Sequence, residues 1–320
     1  SRMPGGSSAG SGSATAASLC ATSLGEDTAG SIRSPASFCG IVGLRPSQGR
    51  VSRYGLLGSC WSMDTIGPMS RTVEDCAMTL QAIAGHDGRD RYTRNVPIPS
   101  YVRSLDGNIE GLRVGVIMER VYTDDAIEEV RLAVSDAVDV LKDLNAIVEE
   151  VSLPMIVQTA AFSLVAEQVE AVAVHQRIIE DRLFDYQHEM RLVLLVASLI
   201  PAQVYYKCLQ LREIWRNQMM DIFNHVDLLV LPTSPTLAPT VPPETGLTSR
   251  ADMKKNFFGR RSFTHFASLA GCPALSVNCG FGEGGLPIGL QIVGRPFEDW
   301  RVLKLGHAYE QATQWYTKRP

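Results

Sequence analysis

Two short segments near the start of the chain carry the hydroxyls best suited to nucleophilic chemistry. The first is Gly5-Gly6-Ser7-Ser8-Ala9-Gly10-Ser11-Gly12. It formally fits the G-x-S-x-G elbow with Ser8 central, but an elbow needs a strand immediately before it and residues 1–4 offer none. Its bland reading is a flexible Gly/Ser linker or a cloning remnant. The second is Gly25-Glu26-Asp27-Thr28-Ala29-Gly30-Ser31-Ile32-Arg33-Ser34-Pro35. Small residues at 29 and 30 let the backbone approach a ligand, and Ser31 falls where a helix could begin. Unpaired N–H groups and the positive end of a helix there can hold a developing oxyanion. Asp27 and Arg33 carry opposite charges across the turn and can pin its shape. Alone, this segment reads better as an ordinary N-capped turn.

Other chemistries have less support. The seven cysteines are scattered, odd in number and free of CxxC spacing. Reduced thiols in a cytosolic protein are the expectation. The six histidines form no HExxH and do not cluster with cysteine, so no metal site is expected. A net charge of −4 favours no polyanionic partner, so direct nucleic-acid binding is not expected. Composition is globular, with 45% hydrophobic and 20% charged residues. The apolar run 192–200 stops at Pro201 and is too short to span a bilayer, so neither membrane nor export is expected. Gly111 and Gly115 flank a strand-like run but make no dinucleotide fingerprint.

The elements that must position the serines are legible in part. A small-residue helix is expected over 13–23. Thr72, with an acid at Asp75, resembles a capping box before Ala77, Leu80, Ile83 and Ala84, with Gly85 as C-cap. Residues 85–113 read as surface connection. The run 112–117 is strand-like, and Val130, Val134, Val138 and Leu141 mark an amphipathic helix closing near Asn145. Residues 146–151 suggest the next strand, giving a β-α-β unit. The middle, 157–224, reads as helices broken at Pro201. Residues 227–231 form a buried-strand candidate before a proline-rich loop over 232–243. Runs 274–278 and 286–293 make a hairpin around a glycine turn, and a last helix covers 299–312. No linker separates the strand-bearing parts, so one large domain over 1–320 is expected.

Taken together, the two serine segments resemble the amidase signature family. The resemblance continues through Pro35-Ala36-Ser37-Phe38-Cys39-Gly40-Ile41-Val42-Gly43-Leu44-Arg45-Pro46-Ser47, Gly49-Arg50-Val51-Ser52-Arg53-Tyr54-Gly55 and Asp64-Thr65-Ile66-Gly67-Pro68-Met69. It includes Arg71-Thr72-Val73-Glu74-Asp75, residues 227–235, 269–276 and 286–291, in the family's order. It is densest over 4–90 and weakest in the helical middle. It implies an α/β fold: a single domain with a mixed central sheet covered by helices on both faces.

The same resemblance implies a Ser–cis-Ser–Lys mechanism. Ser31 matches the nucleophile, and Ser7, 24 positions earlier, the bridging serine after a cis peptide bond. Thr28, Ala29, Gly30 and Ser31 match the segment whose N–H groups form the oxyanion hole. Ser8, Asp27 and Arg33 match positions that hold the loop. A buried neutral lysine is the base in that family, because desolvation lowers an ammonium's pKa. None of the six lysines (142, 207, 254, 255, 304 and 318) matches its position. The expectation is that this lysine precedes residue 1.

The implied activity is cleavage of a linear carboxylic amide, or a urea- or carbamate-like C–N bond, through an acyl-serine, with release of ammonia or an amine. No cofactor is implied, the partner is a small-molecule amide, and a homodimer is compatible with it. Two alternatives stand beside it. One is the glutaminase subunit of a tRNA-dependent amidotransferase, although residues 186–216 look more like the general amidases. The other is an inactive fragment or binding module retaining the fold. Arg191 and Arg212 are arginines that could meet a substrate carboxylate, but solvated or ion-paired roles are favoured for both.

Overall fold

The computed structural model describes residues 1–241 and 263–318. Eight strands lie among them: β1 (Thr22–Asp27), β2 (Val42–Arg45), β3 (Thr65–Ser70), β4 (Arg113–Ile117), β5 (Ile147–Val151), β6 (Leu228–Pro232), β7 (Ala274–Phe281) and β8 (Pro287–Gly294). They form one sheet in the order β1-β3-β2-β7-β8-β6-β4-β5. β4 pairs in parallel with β5 and β6, while the other pairings are antiparallel, so the sheet is mixed as expected. The helices of the first half are α1 (Ala9–Ala16), α2 (Arg33–Cys39), α3 (Val73–Ile83), α4 (Met118–Val121) and α5 (Glu128–Asp143). Those of the second are α6 (Thr159–Arg182), α7 (His188–Ala197), α8 (Ala202–Ile222), α9 (His265–Ala270) and α10 (Asp299–Thr313).

Strand alternation in β7 shows why helices cover both faces. A Cβ on Gly306 of α10 would run into Leu275 and lie 3.6 Å from Val277. The intervening Ser276 points the other way, towards Gly289 of β8. Ser37 of α2 packs on that same glycine, 2.6 Å from where its Cβ would stand. One face of the hairpin is thus apolar against α10, and the other is small and polar against α2. The crossover helix α5 buries Val130, Val134, Val138 and Leu141, the stripe read from its periodicity, and Ala137 beside them. It ends where Asn145 turns into the left-handed region at φ 62°.

The structure corrects the sequence reading at several points. The small-residue helix covers Ala9–Ala16, not 13–23, and Thr22 to Asp27 is a strand. Ser18 leaves helical geometry at φ 58°, which ends any continuation. α2 starts at Arg33, two residues after Ser31, with Ile32 as N-cap. α3 is capped by the Thr72 hydroxyl, which accepts the Asp75 N–H at 3.1 Å, but its C-cap is Ala84 in extended geometry rather than Gly85. The helical middle breaks at residues 183–187 as well as at Pro201, where α7 and α8 meet at 92°. No single helix among the described residues is long and apolar enough to cross a membrane. All seven cysteines are free thiols.

Candidate active site

Asp27, the last residue of β1, is the hub of the site. Its Oδ1 accepts the Gly30 N–H at 2.8 Å and Arg33 Nη2 at 2.9 Å. Its Oδ2 accepts the Ile32 N–H at 3.2 Å and Arg33 Nε at 3.1 Å. A second guanidinium, Arg45 at the end of β2, donates to the Asp27 carbonyl and lies 3.2 Å from Oδ1. All three side chains are fully buried. Burial opposes the carboxyl's charge, but Arg33 and Arg45 outweigh it and hold the carboxyl well below its usual range. Arg33 then reaches outward through Nη1 to the Thr264 carbonyl at 2.8 Å and Gln291 Oε1 at 2.6 Å, and through Nη2 to Ser268 Oγ at 2.9 Å. The opposite charges read from the sequence therefore do more than pin a turn: they join β1, α2, β8 and α9 around one carboxylate.

The first serine segment is held against this loop. The Ser8 N–H donates to the Ser31 carbonyl at 3.1 Å, so Ser7 and Ser31 are neighbours despite their separation in sequence. The Ser8 hydroxyl donates to the Glu26 carbonyl at 3.1 Å and accepts the Glu26 N–H at 3.2 Å. The Gly6–Ser7 peptide bond is cis. Gly5 lies against α2, with Pro35 N only 2.8 Å from where a Cβ would stand. Both serines line a cavity of about 550 Å³, together with Thr28, Ala29, Gly30 and Glu26. Met190 of α7 and Thr264 and His265 border it from the helical side.

Gly30 has a positive φ of 128°, and a Cβ on it would collide with the Thr264 hydroxyl and lie 2.7 Å from Thr264 Cβ. Thr264 cannot easily swing away, because it is β-branched and its hydroxyl donates to the Ala29 carbonyl at 2.6 Å. Gly30→Ala is expected to displace the 28–31 segment and to cost about 1–3 kcal/mol of stability from backbone strain alone. Activity should fall by at least about 100-fold, the effect of an ångström-scale misplacement. Thermal melts and steady-state kinetics on the same sample check both.

Each site residue expected from sequence can be located. Ser7, Thr28, Ala29, Gly30 and Ser31 share the cavity wall, while Ser8, Asp27 and Arg33 lie behind it in the bonds described. Gly30 differs in one respect, since its N–H is already occupied by Asp27. Sequence reasoning missed Arg45, Thr264, Gln291 and the pair Glu26 and Asp64. Thr28 Oγ1 stands 2.9 Å from Glu26 Oε1 and 2.7 Å from Asp64 Oδ1. The available signal was Glu26-Asp27, two adjacent acids beside a candidate nucleophile. Arg212 is structural: it donates to the Leu269 carbonyl at 2.9 Å and to the Ser62 hydroxyl at 2.7 Å. Arg191 stacks over Phe184 at 5.4 Å. No lysine lines the cavity among the described residues. Lys142 and Lys304 pair with Asp139 and Asp106, Lys318 sits over Trp315, and Lys207 is exposed. Lys254 and Lys255 lie outside the described residues.

Residues 1–303 match the family described as amidase. The chain is 38% identical over 343 aligned positions to the A subunit of the glutamyl-tRNA(Gln) amidotransferase of Halalkalibacterium halodurans, covering 99% of this chain and 69% of that protein. A solved bacterial aryl acylamidase of the amidase signature enzymes superposes with a TM-score of 0.85 at 25% identity, over 99% of this chain and 68% of its own. The 6-aminohexanoate cyclic dimer hydrolase superposes with a TM-score of 0.87 at 26% identity, over 100% of this chain and 70% of its own. The chain thus spans about two thirds of the length of these relatives.

Proposed function

This chain belongs to the amidase family of carbon–nitrogen hydrolases, and from that premise we propose that it cleaves a linear carboxylic amide through an acyl-Ser31 intermediate. The observation that carries the reading is the convergence of the two serine segments on one cavity, tied by the Ser8 N–H to the Ser31 carbonyl. Ser31 Oγ attacks the amide carbonyl carbon while its proton passes to the Ser7 hydroxyl, and Ser7 passes its own to the base. That base is a lysine contributed by sequence other than the described residues of the cavity wall. The carbonyl oxygen becomes an oxyanion facing the 28–31 backbone. With the Gly30 N–H held by Asp27, the N–H groups of Thr28, Ala29 and Ser31 are the donors assigned to it. Collapse of the tetrahedral intermediate breaks the C–N bond, and the Ser7 relay returns a proton to the departing nitrogen. Water then hydrolyses the ester by the same relay in reverse. Asp27, Arg33 and Ser8 keep this backbone rigid, so little reorganisation accompanies charge development.

The relay makes Ser7→Ala informative. Its removal takes away proton transfer but no cavity-filling group, so kcat should drop by about 100- to 10,000-fold with KM little changed. An unchanged kcat would remove Ser7 from the mechanism.

A second reading is favoured by the amidotransferase subunits among the relatives. In it the amide is glutamine and the ammonia passes to a separate partner protein. Ammonia release from glutamine only when partner proteins are added supports that reading. Rapid hydrolysis of simple amides by the protein alone supports a free-standing amidase. Whether the protein acts as a homodimer and in the cytoplasm belongs to the same proposal, and is read from its mass in solution and from cell fractionation.

A further inference from the structure

Among the described residues, Glu26 is one of three ionisable groups of the cavity, with Glu167 and His265, that the reaction above leaves unused. It precedes Asp27, the last residue of β1, and its backbone is gripped by the Ser8 hydroxyl. Its carboxyl oxygen Oε1 meets Thr28 Oγ1 at 2.9 Å, while Asp64 Oδ1 meets the same hydroxyl at 2.7 Å. A hydroxyl has one hydrogen to donate, so these two contacts cannot both be Thr28 donating to a carboxylate. Asp64 already acts as an acceptor on both oxygens. The Ser59 N–H donates to Oδ2 at 2.8 Å, and the Cys60 N–H lies 3.0 Å from Oδ1 and 2.9 Å from Oδ2. The Thr28 hydrogen therefore belongs to Asp64, and the remaining contact needs a hydrogen from Glu26.

We propose that Glu26 is a positioning residue whose neutral carboxyl donates to the Thr28 hydroxyl, which donates to Asp64, fixing the nucleophile segment against the loop that bears Ser59. The inference deepens the acyl-Ser31 reading and rests on it only for the rate effect. Every charge around Glu26 bears on its protonation. Burial first, then the carboxylates of Asp64 and Asp27, push its carboxyl up to about 8, against the opposing pull of the Thr28 hydroxyl and Arg45. Glu167 of α6 and His265 of α9 face the same cavity. When Glu26 loses its proton, two carboxylates face one hydroxyl. The hydrogen bond from Glu26 is lost and Thr28 is held from one side only.

Infrared difference spectra of the protein against Glu26→Gln test the proton directly, without turnover. A protonated-carboxyl band present at neutral pH, missing in the variant and titrating away near 8 is expected. Glu310, a second buried acid pushed up to about 8, is common to both samples and cancels in the difference. No such band at neutral pH overturns the proposal, whatever the protein's activity. The positioning role is read from the rate at which a fluorophosphonate phosphonylates Ser31, with loss of fluoride, across the same pH range. The wild-type rate divided by the Glu26→Gln rate should fall by roughly 2- to 10-fold as pH rises through Glu26's titration, the weight of one net hydrogen bond. Gln donates to Thr28 at every pH, so a flat ratio overturns the role. Thr28→Val should remove the pH dependence of that ratio, and Thr28→Ser should restore it.

Discussion

Ser31→Ala is expected to lower kcat and kcat/KM together by on the order of 10,000-fold or more, leaving a folded protein. The size follows from what the hydroxyl does in the proposed mechanism: without it no acyl-enzyme forms, and residual rate comes from the oxyanion donors and substrate binding alone. The fold should tolerate the change because Ser8 is bonded to the Ser31 carbonyl rather than to its hydroxyl. Ser31 is also only half-buried, so its truncation leaves no closed core cavity. Steady-state kinetics with an amide substrate, paired with a thermal melt, separate loss of chemistry from loss of fold. Activity within about 10-fold of wild type, under 1.4 kcal/mol of barrier, would exclude Ser31 as the nucleophile.

Asp27→Asn should have the largest effect on stability. The side chain keeps its size, but a carboxylate that balances two fully buried guanidiniums becomes neutral. Breaking a buried pair in this way costs about 3–5 kcal/mol, because the partner charges stay behind without compensation. One oxygen of the amide could still accept the Gly30 N–H, while its NH2 would face the Ile32 N–H and Arg33 Nε, two donors. Activity should fall with stability, since Asp27 shapes the 28–31 segment. The pH dependence has a definite sign. The folded carboxyl sits below its ordinary value of 3.8, so its contribution is complete above that value and is lost as acid protonates it in the folded state. Acid unfolding should therefore be shifted in Asp27→Asn, with the gap between the two proteins closing at low pH. Denaturant titrations at neutral and acidic pH measure this. A difference below about 1 kcal/mol at neutral pH, the range of an exposed ion pair, would contradict the account.

The parts of the fold that were legible in sequence are those where burial alone sets the pattern. The stripe of α5, the β4-α5-β5 crossover and the β7–β8 hairpin all follow from apolar periodicity. The strands nearest the site were illegible for a physical reason. β1 and β3 contain Gly25, Gly67 and Pro68, which read as turn residues. Gly67 is needed because a Cβ would run into the Leu44 carbonyl and lie 2.6 Å from Pro46 Cδ. Gly25 is needed because Ile32 and the Ser8 hydroxyl come within 2.8 Å of a Cβ position. Pro68 is tolerated inside the sheet because β2 pairs with β3 only at Met69 and Ser70. Close approach of backbones, not hydrophobic periodicity, builds this end of the sheet.

The site shows the same division. The loop between Asp27 and Arg33 was readable from its residue types, whereas Ser7 and Ser31 were singled out only by the resemblance to the amidase signature family. The second guanidinium on Asp27, the bond from Arg33 to Gln291 and the shared Thr28 hydroxyl were not readable. Those partners lie on distant strands and loops, and pairing across 258 positions leaves no local signal.

Treating the protein with a fluorophosphonate and locating the adduct by peptide mass spectrometry shows whether Ser31 is an activated nucleophile. One adduct is expected, on Ser31 and absent from Ser31→Ala. A folded protein that takes up no label, or carries it on Ser8, would contradict that role.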